Sequence, residues 1–460
     1  MVTGRLAPCD ARRGTRALGL WSLAATGLYS HGMTDREQTG RRLGGVRLRD
    51  LGPGFLTGVA DDDPSNIATY SQVGARFGYR MVWTVWAFFP LVAAVQEISA
   101  QIVRVTGRGL TENLRAHFPL PVCYVLVASL LIANIANIGA DLLAMGGAAR
   151  LLFGGERRVY ALGFLVLIVA LEVFVRYERY AHILEGLSLA LLAYVATAFS
   201  VHADWRSAVM GLVPTIIPTH HYAMALVAIA GTTISPYLLF WQAGQEAEIP
   251  RWEAGQEPLV RKPRQARRAL RRIRVDTFVG MGFSQAVALF ITITAAATLG
   301  VHGVRHVDTA AQAANALRPF AGRWTSEVFT AGLVATGLLA IPAMAGACAY
   351  ALAGLFSWRE GLHASAREAP RFYLVITLVG VASFAVPLLG ISSMRALYLS
   401  AVLNGLVAPP LLVCLMILAH GRPVMGRFAL KGGSLAVGWL ATAVMLTAAG
   451  FLIGKWLMQA

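Results

Sequence analysis

The chain has 460 residues, 56% of them hydrophobic and 14% charged, with a mean hydropathy of +0.58. A soluble protein of this length needs far more charge to cover its surface, so the composition excludes an ordinary water-soluble domain. Its 40 Lys+Arg against 24 Asp+Glu give a formal charge of +16, but the basic residues cluster in connections between apolar blocks, where they orient a membrane protein and do not signal a nucleic-acid partner.

In chain order, residues 1–50 read as a basic, disordered cytoplasmic tail. Arg12, Arg13 and Arg16 precede a short apolar stretch at 17–29 that resembles a signal peptide. An upstream extension, with translation starting at Met33, is the plainer alternative. From residue 51 onward the chain is one membrane domain with short loops. Apolar blocks long enough to cross a bilayer give roughly eleven spans by the length of about 20 residues that each needs. They fall near 52–75, 79–103, 120–149, 159–176, 183–202, 222–245, 275–299, 324–356, 371–390, 395–419 and 434–456.

Charge bias orients them. The densest run, Arg261, Lys262, Arg264, Arg267, Arg268, Arg271, Arg272 and Arg274, precedes the seventh span, which places that connection and the N-terminus in the cytoplasm. Arg150, Arg157 and Arg158 are the exception, on an outer connection. The expected location is therefore a multi-pass position in the plasma (inner) membrane, with membrane lipid as a partner; nothing in the sequence speaks to oligomeric state. Cys123, Cys348 and Cys414 sit inside apolar blocks, and with Cys9 they show no C-x-x-C spacing, so they read as small core residues.

Two spans are interrupted. In the first, Asp61, Asp62 and Asp63 are followed by Pro64, Ser65 and Asn66. Proline blocks the preceding turn, so the helix stops near Asp63, and three carboxylates at membrane depth require a cation or a water-filled cavity. An acidic loop between two shorter elements is the plainer reading. In the sixth, Thr232, Thr233, Ser235 and Pro236 break an otherwise apolar run; alone this reads equally as an ordinary proline kink. The breaks lie five spans apart, each on a residue–proline core. An inverted repeat of five spans plus five sets such breaks face to face near the midplane, where a carboxylate, hydroxyls and freed carbonyls form an oxygen-lined cation site.

The motifs Gly52-Pro53-Gly54, Asp63-Pro64-Ser65-Asn66, Val105-Thr106-Gly107, Ala140-Asp141-Leu142 and Ser235-Pro236-Tyr237-Leu238 resemble those of the NRAMP (natural resistance-associated macrophage protein) family of divalent metal transporters. The resemblance runs from about Gly52 to the tenth span. It implies an all-α membrane protein of about eleven helices with the LeuT-like 5+5 inverted repeat and broken helices 1 and 6. Family members carry D-P-G-N in the first span and an M-P-H-N-type motif in the sixth. Here Ser235 stands at the metal-binding methionine and Tyr237 at the histidine, and a carboxylate position of the third span associated with proton passage aligns with Ala144, while Asp141 is kept. The pattern Ala60-Asp-Asp-Asp-Pro-Ser65 with Thr232-Thr-Ile-Ser-Pro-Tyr237 is similar to that of the NRAMP-related magnesium transporters.

A thioether prefers softer ions, so its loss removes a bias toward manganese and iron. Magnesium keeps several waters and suits a roomy, oxygen-only site. The expected ligands are Asp63, Asn66, Thr232, Thr233 and Ser235, with Asp61, Asp62, Asp141 and Tyr237 along the ion path and Pro64 and Pro236 as helix breakers. The expected activity is uptake of Mg²⁺, with Mn²⁺ also carried, largely hydrated and without proton coupling. No cofactor is expected, since the metal is substrate. A proton-coupled Mn²⁺/Fe²⁺ importer of the ordinary NRAMP type is the alternative. An amino-acid/cation symporter on the same fold is more distant, because the 61–63 carboxylates would repel an anionic group. No H-E-x-x-H, G-x-S-x-G or paired Ser/His arrangement suggests an enzyme. Glu97 and Asp276 near span ends read as structural, and His220 and His221 as solvated loop residues.

Overall fold

This computed structural model describes residues 52–175 and 192–457, apart from 202, 218, 253–254, 305–306, 308 and 319–321, together with two short strands. The strands, Arg42–Leu43 and Val46–Arg47, pair antiparallel within a unit that ends at Leu51; the rest of the expected tail lies outside the described residues. The second unit, from Gly52 onward, carries the helices.

The first span is divided into α1 (Pro53–Asp61) and α2 (Pro64–Phe77). Then follow α3 (Trp83–Thr106), α4 (Leu120–Phe153), α5 (Arg157–Phe174) and α6 (Leu192–Ser200). The sixth span is divided into α7 (His220–Thr233) and α8 (Pro236–Trp252). The remainder are α9 (Ala266–Ala295), α10 (Thr325–Phe356), α11 (Pro370–Ser383), α12 (Ser393–His420) and α13 (Gly433–Leu457). Among the described residues, eight helices are long and apolar enough to cross a membrane, counting α7 and α8 as one. The other expected spans have local reasons for missing that measure. The first is cut by its break, α5 carries Arg157, Arg158 and Glu172 in 18 residues, and residues 183–191 of the fifth lie outside the description.

Both divisions have the same cause. Pro64 and Pro236 each open a new helix, where their missing N–H would be unpaired anyway. The preceding residues leave helical geometry: Asp62 (φ −78°, ψ 53°) and Asp63 (φ −73°, ψ 169°) in the first, Ile234 (φ −105°, ψ 60°) in the sixth.

Small residues set how closely the spans approach. Gly58 of α1 lies so near α9 that a Cβ there would sit 2.1 Å from the Gly280 carbonyl carbon, and one on Gly280 would sit 2.4 Å from the Gly54 oxygen. Close backbone approach of this kind is how membrane helices gain packing without a hydrophobic driving force. Gly58→Val is therefore expected to force α1 and α9 apart at a cost of about 3 kcal/mol or more. It should appear as a lowered melting temperature in detergent, and unchanged melting would mean that the helices separate freely.

Candidate functional site

The two breaks meet. Ser65 Oγ lies 3.4 Å from Thr232 Oγ1, Tyr70 Oη 2.9 Å from Thr233 Oγ1, and the Tyr237 hydroxyl donates to the Ala60 carbonyl at 3.1 Å. These contacts cross from the first span to the sixth, more than 160 residues apart in the chain. Asp61, Asp62 and Asp63 are each 1% exposed and Asn66 is fully buried, so the 61–66 stretch is no surface loop.

Asp63 is the N-cap of α2, the position where a short acceptor meets the orphan N–H groups of a helix start. Its Oδ1 accepts from the Asn66 backbone N–H at 2.7 Å and from the Ser65 hydroxyl at 2.6 Å. Its Oδ2 accepts from Asn137 Nδ2 of α4 at 3.1 Å. A carboxylate accepts only, so the Asn137 amide must turn its nitrogen toward Asp63 and its oxygen away. That oxygen accepts from the Ser400 hydroxyl of α12 at 2.6 Å. Asn137 Nδ2 also meets Met344 Sδ at 3.2 Å, so a thioether lies next to the amide bound to Asp63.

Asp61 and Asp62 point to a different neighbour. Ser284 Oγ of α9 lies 2.6 Å from Asp61 Oδ2 and 3.1 Å from Asp62 Oδ1. Asn66 Nδ2 donates to the Asp61 carbonyl at 3.0 Å and approaches Asp62 Oδ1 at 3.4 Å. Asp61 Oδ1, Asp62 Oδ2 and Asn66 Oδ1 are buried without a hydrogen-bond partner.

In the sixth span, the Ser235 hydroxyl turns back to the Gly231 and Thr232 carbonyls at 2.8 and 3.0 Å. The carbonyls freed by the break are thus partly covered by Ser235, each keeping a second lone pair. Tyr237 is spent on the Ala60 carbonyl, an orphan of the last turn of α1. Asp141 is fully buried on α4 with neither oxygen hydrogen-bonded. Ala144 lies in the apolar core, and the α4 side chain that reaches Asp63 is Asn137, seven positions earlier.

No group of three or more His, Cys, Asp and Glu among the described residues is arranged to hold a metal ion. The groups against Asp63 are the Ser65 hydroxyl, the Asn66 N–H and the Asn137 amide nitrogen, and the first and sixth spans meet beside it through hydroxyl groups. Sequence reasoning missed Asn137, Ser284, Ser400 and Tyr70. It also left Asp276 without a partner. That carboxylate accepts from the N–H groups of Gly52 (2.9 Å), Gly54 (2.7 Å) and Phe55 (3.0 Å), capping the start of α1. One turn earlier, Arg272 Nη2 contacts both Glu246 oxygens of α8 at 2.6 Å. Asp276→Ala strips three donors of a charged acceptor and is expected to cost about 2–4 kcal/mol. Melting should fall by several degrees and Asp276→Asn should lie between; an unshifted melt would show that α1 is held without the cap.

The profile of the natural resistance-associated macrophage protein-like (Nramp) family matches residues 54–455. The chain belongs to the Nramp family. Among curated relatives, the divalent metal cation transporter MntH of Burkholderia ambifaria is 27% identical over 422 residues, covering 90% of each chain. That of Deinococcus radiodurans is 26% identical over 429 residues, covering 92% of this chain and 93% of its own. The crystal structure of the Eremococcus coleocola manganese transporter with an aromatic bis-isothiourea compound superposes with a TM-score of 0.67 at 18% identity, over 87% of this chain and 85% of the other. Mhp1, a nucleobase-cation-symport-1 family transporter, matches with a TM-score of 0.51 at 16% identity, over 88% of this chain and 93% of the other. The architecture of this Nramp chain is that of LeuT-like transporters, an all-α inverted repeat of five spans plus five with the first and sixth helices broken.

Proposed function

We propose that this Nramp protein is a multi-pass transporter of the plasma (inner) membrane, its N-terminus in the cytoplasm, that takes up divalent metal cations, Mg²⁺ foremost and Mn²⁺ also. The metal is cargo, and neither a cofactor nor enzymatic chemistry enters the cycle. The observation that carries the reading is the donor set where the breaks meet. Ser65 and Tyr70 of α2, the helix that Asp63 caps, meet the Thr232 and Thr233 hydroxyls of the sixth span, where Ser235 and not a thioether stands over the freed carbonyls, and Met344 Sδ engages Asn137. Hard oxygens suit an ion that dehydrates reluctantly and keeps part of its water.

Asp63 is the anchoring ligand, with Asn66, the carbonyls near Thr232 and Thr233 and the Ser235 hydroxyl completing the ion's surroundings. Asp61, Asp62 and Asp141 draw the cation in, and Tyr237 braces α8 against α1. Uptake needs no second ion to drive it: an inside-negative potential of 100 mV favours entry of a divalent ion by about 4.6 kcal/mol, twice the single-charge value. The α4 side chain touching Asp63 is an amide, which donates a hydrogen bond but does not titrate. Lipid surrounds the domain, with anionic headgroups near the arginines that precede and begin α9.

The test is uptake by purified protein in liposomes, comparing Mg²⁺ with Mn²⁺ while lumenal pH is followed. Entry of both ions without acidification is expected. A second reading, proton-coupled import of Mn²⁺ or Fe²⁺, draws on Asp61, Asp62 and Asp141, buried carboxylates without a basic partner among the described ion pairs. Mn²⁺ entry with acidification and no Mg²⁺ entry would establish that reading in place of the first.

A further inference from the structure

The seam between α4 and α10 sets sulfur against amide. The helices run antiparallel: Gly337 lies against Met145, Met344 against Asn137 and Cys348 against Asn134. Met344 and Cys348 stand one turn apart, so their side chains share a face of α10, and Asn134, Asn137 and Asp141 share the facing stripe of α4 by the same spacing. All five side chains are fully buried. Asn137 Nδ2 lies between Asp63 Oδ2 at 3.1 Å and Met344 Sδ at 3.2 Å. Asn134 Nδ2 donates to the Met344 carbonyl at 3.1 Å and meets Cys348 Sγ at 3.2 Å. A carbonyl only accepts, so the Asn134 amide has its nitrogen toward α10, and its oxygen is left without a donor. Among the described residues, the unpaired buried side-chain atoms that α4 and α10 carry are Asn134 Oδ1 and both oxygens of Asp141. Buried acceptors are ordinarily paired, and here they lie along a seam that also presents a thioether and a free thiol.

We propose that Met344 Sδ, Cys348 Sγ and Asn134 Oδ1 form a binding position for a soft divalent metal ion of the cadmium class, beside the path of the transported ion. It takes from the proposed function only that divalent ions reach Asp63. Two sulfur ligands select a soft ion over magnesium, and the amide oxygen makes the set a mixed one that suits a divalent ion. Each amide nitrogen now occupies the place of a positive ligand: both are donors set against α10 acceptors. A half-turn of the Asn134 amide exchanges its nitrogen for the bare oxygen and completes the ligand set. The thiol gives up its hydrogen as a proton to solvent when the metal–sulfur bond forms, because the thiolate is the ligand. An ion reaches this position by displacing Asn137 from Met344, one contact from Asp63. Bound there, it ties α4 to α10 next to the hard site, so a soft ion that enters is held and stops Mg²⁺ uptake.

The experiment is titration of the purified full-length protein with Cd²⁺, followed by the cadmium–thiolate charge-transfer absorption. The absorption is expected in the wild type and in the variant with Cys9, Cys123 and Cys414 all changed to serine, and it should vanish in Cys348→Ser and Cys348→Ala. Met344→Leu should keep the absorption and weaken Cd²⁺ binding by about 10–100-fold, the range for losing a partner of a metal site. In proteoliposomes, Cd²⁺ should inhibit Mg²⁺ uptake by the wild type, and Cys348→Ser should need correspondingly more of it. No thiolate absorption from Cys348, or Cd²⁺ affinity unchanged in Met344→Leu, would overturn the position. So would equal inhibition of the wild type and Cys348→Ser. The wild-type spectrum and the triple-serine variant decide the matter even where a position-348 variant fails to fold. Absence of Mg²⁺ uptake by the untreated wild type would instead count against the proposed function and leave the absorption result standing, so the two failures are distinguishable.

Discussion

Asp63→Ala is expected to reduce divalent-cation uptake into proteoliposomes to the level of protein-free vesicles. The residue has two tasks that alanine cannot perform. It is the carboxylate set where the two breaks meet, and it is the acceptor for Ser65 Oγ, the Asn66 N–H and Asn137 Nδ2. Losing a helix N-cap costs about 1 kcal/mol, and each buried donor left without an acceptor adds about 1–3 kcal/mol. Some fall in melting temperature should therefore accompany the loss of transport. Asp63→Asn separates the two tasks, because an amide oxygen still caps α2 but brings no charge. It should recover most of the stability and little of the uptake. Uptake at the wild-type rate by either variant would remove Asp63 from the ion's path.

The second large effect concerns selectivity. Ser235→Met places a thioether where α7 ends and releases the Gly231 and Thr232 carbonyls from the Ser235 hydroxyl. A soft sulfur ligand favours Mn²⁺ over Mg²⁺, so in competition the ratio of Mn²⁺ to Mg²⁺ uptake should rise tenfold or more, a change of about 1.4 kcal/mol in relative affinity. The longer side chain also narrows the space for retained water, which should reduce the Mg²⁺ rate in its own right. An unchanged ion profile would refute the account in which the donor set at position 235 decides the cargo.

The fold was legible because its signals are local. Bilayer thickness sets the length of an apolar block, and a proline inside such a block forces a break wherever it occurs. Pro64 and Pro236 could thus be matched by their spacing alone, and α1, α2, α7 and α8 end where those residues dictate. The partners of the site were not legible, for the opposite reason. Asn137 stands 74 positions from Asp63, and Ser284 stands 223 from Asp61. Neither has a local pattern to mark it: each is one of several buried polar residues on its helix, and its importance arises only from what lies opposite. Asp276 shows the same limit, since its nearness to a span end suggested a structural role but not that its partner is the first half-helix. Tyr237 shows a related one. Its motif position suggested the ion path, whereas its hydroxyl is taken by the carbonyl that the first break exposes.

The cap on α1 has a further use. The amide hydrogens of Gly52 and Gly54 are held by one side chain on another helix, whereas that of Phe55 is shared with the Gly52 carbonyl and those further along α1 are held by the helix itself. Solvent deuterium can replace the first group only while α1 is detached from α9. Its exchange rate therefore reads the fraction of time that the half-helix spends released. Measured with and without transported ion, that rate would turn two backbone positions into a built-in clock for the opening step, with no label attached to the protein.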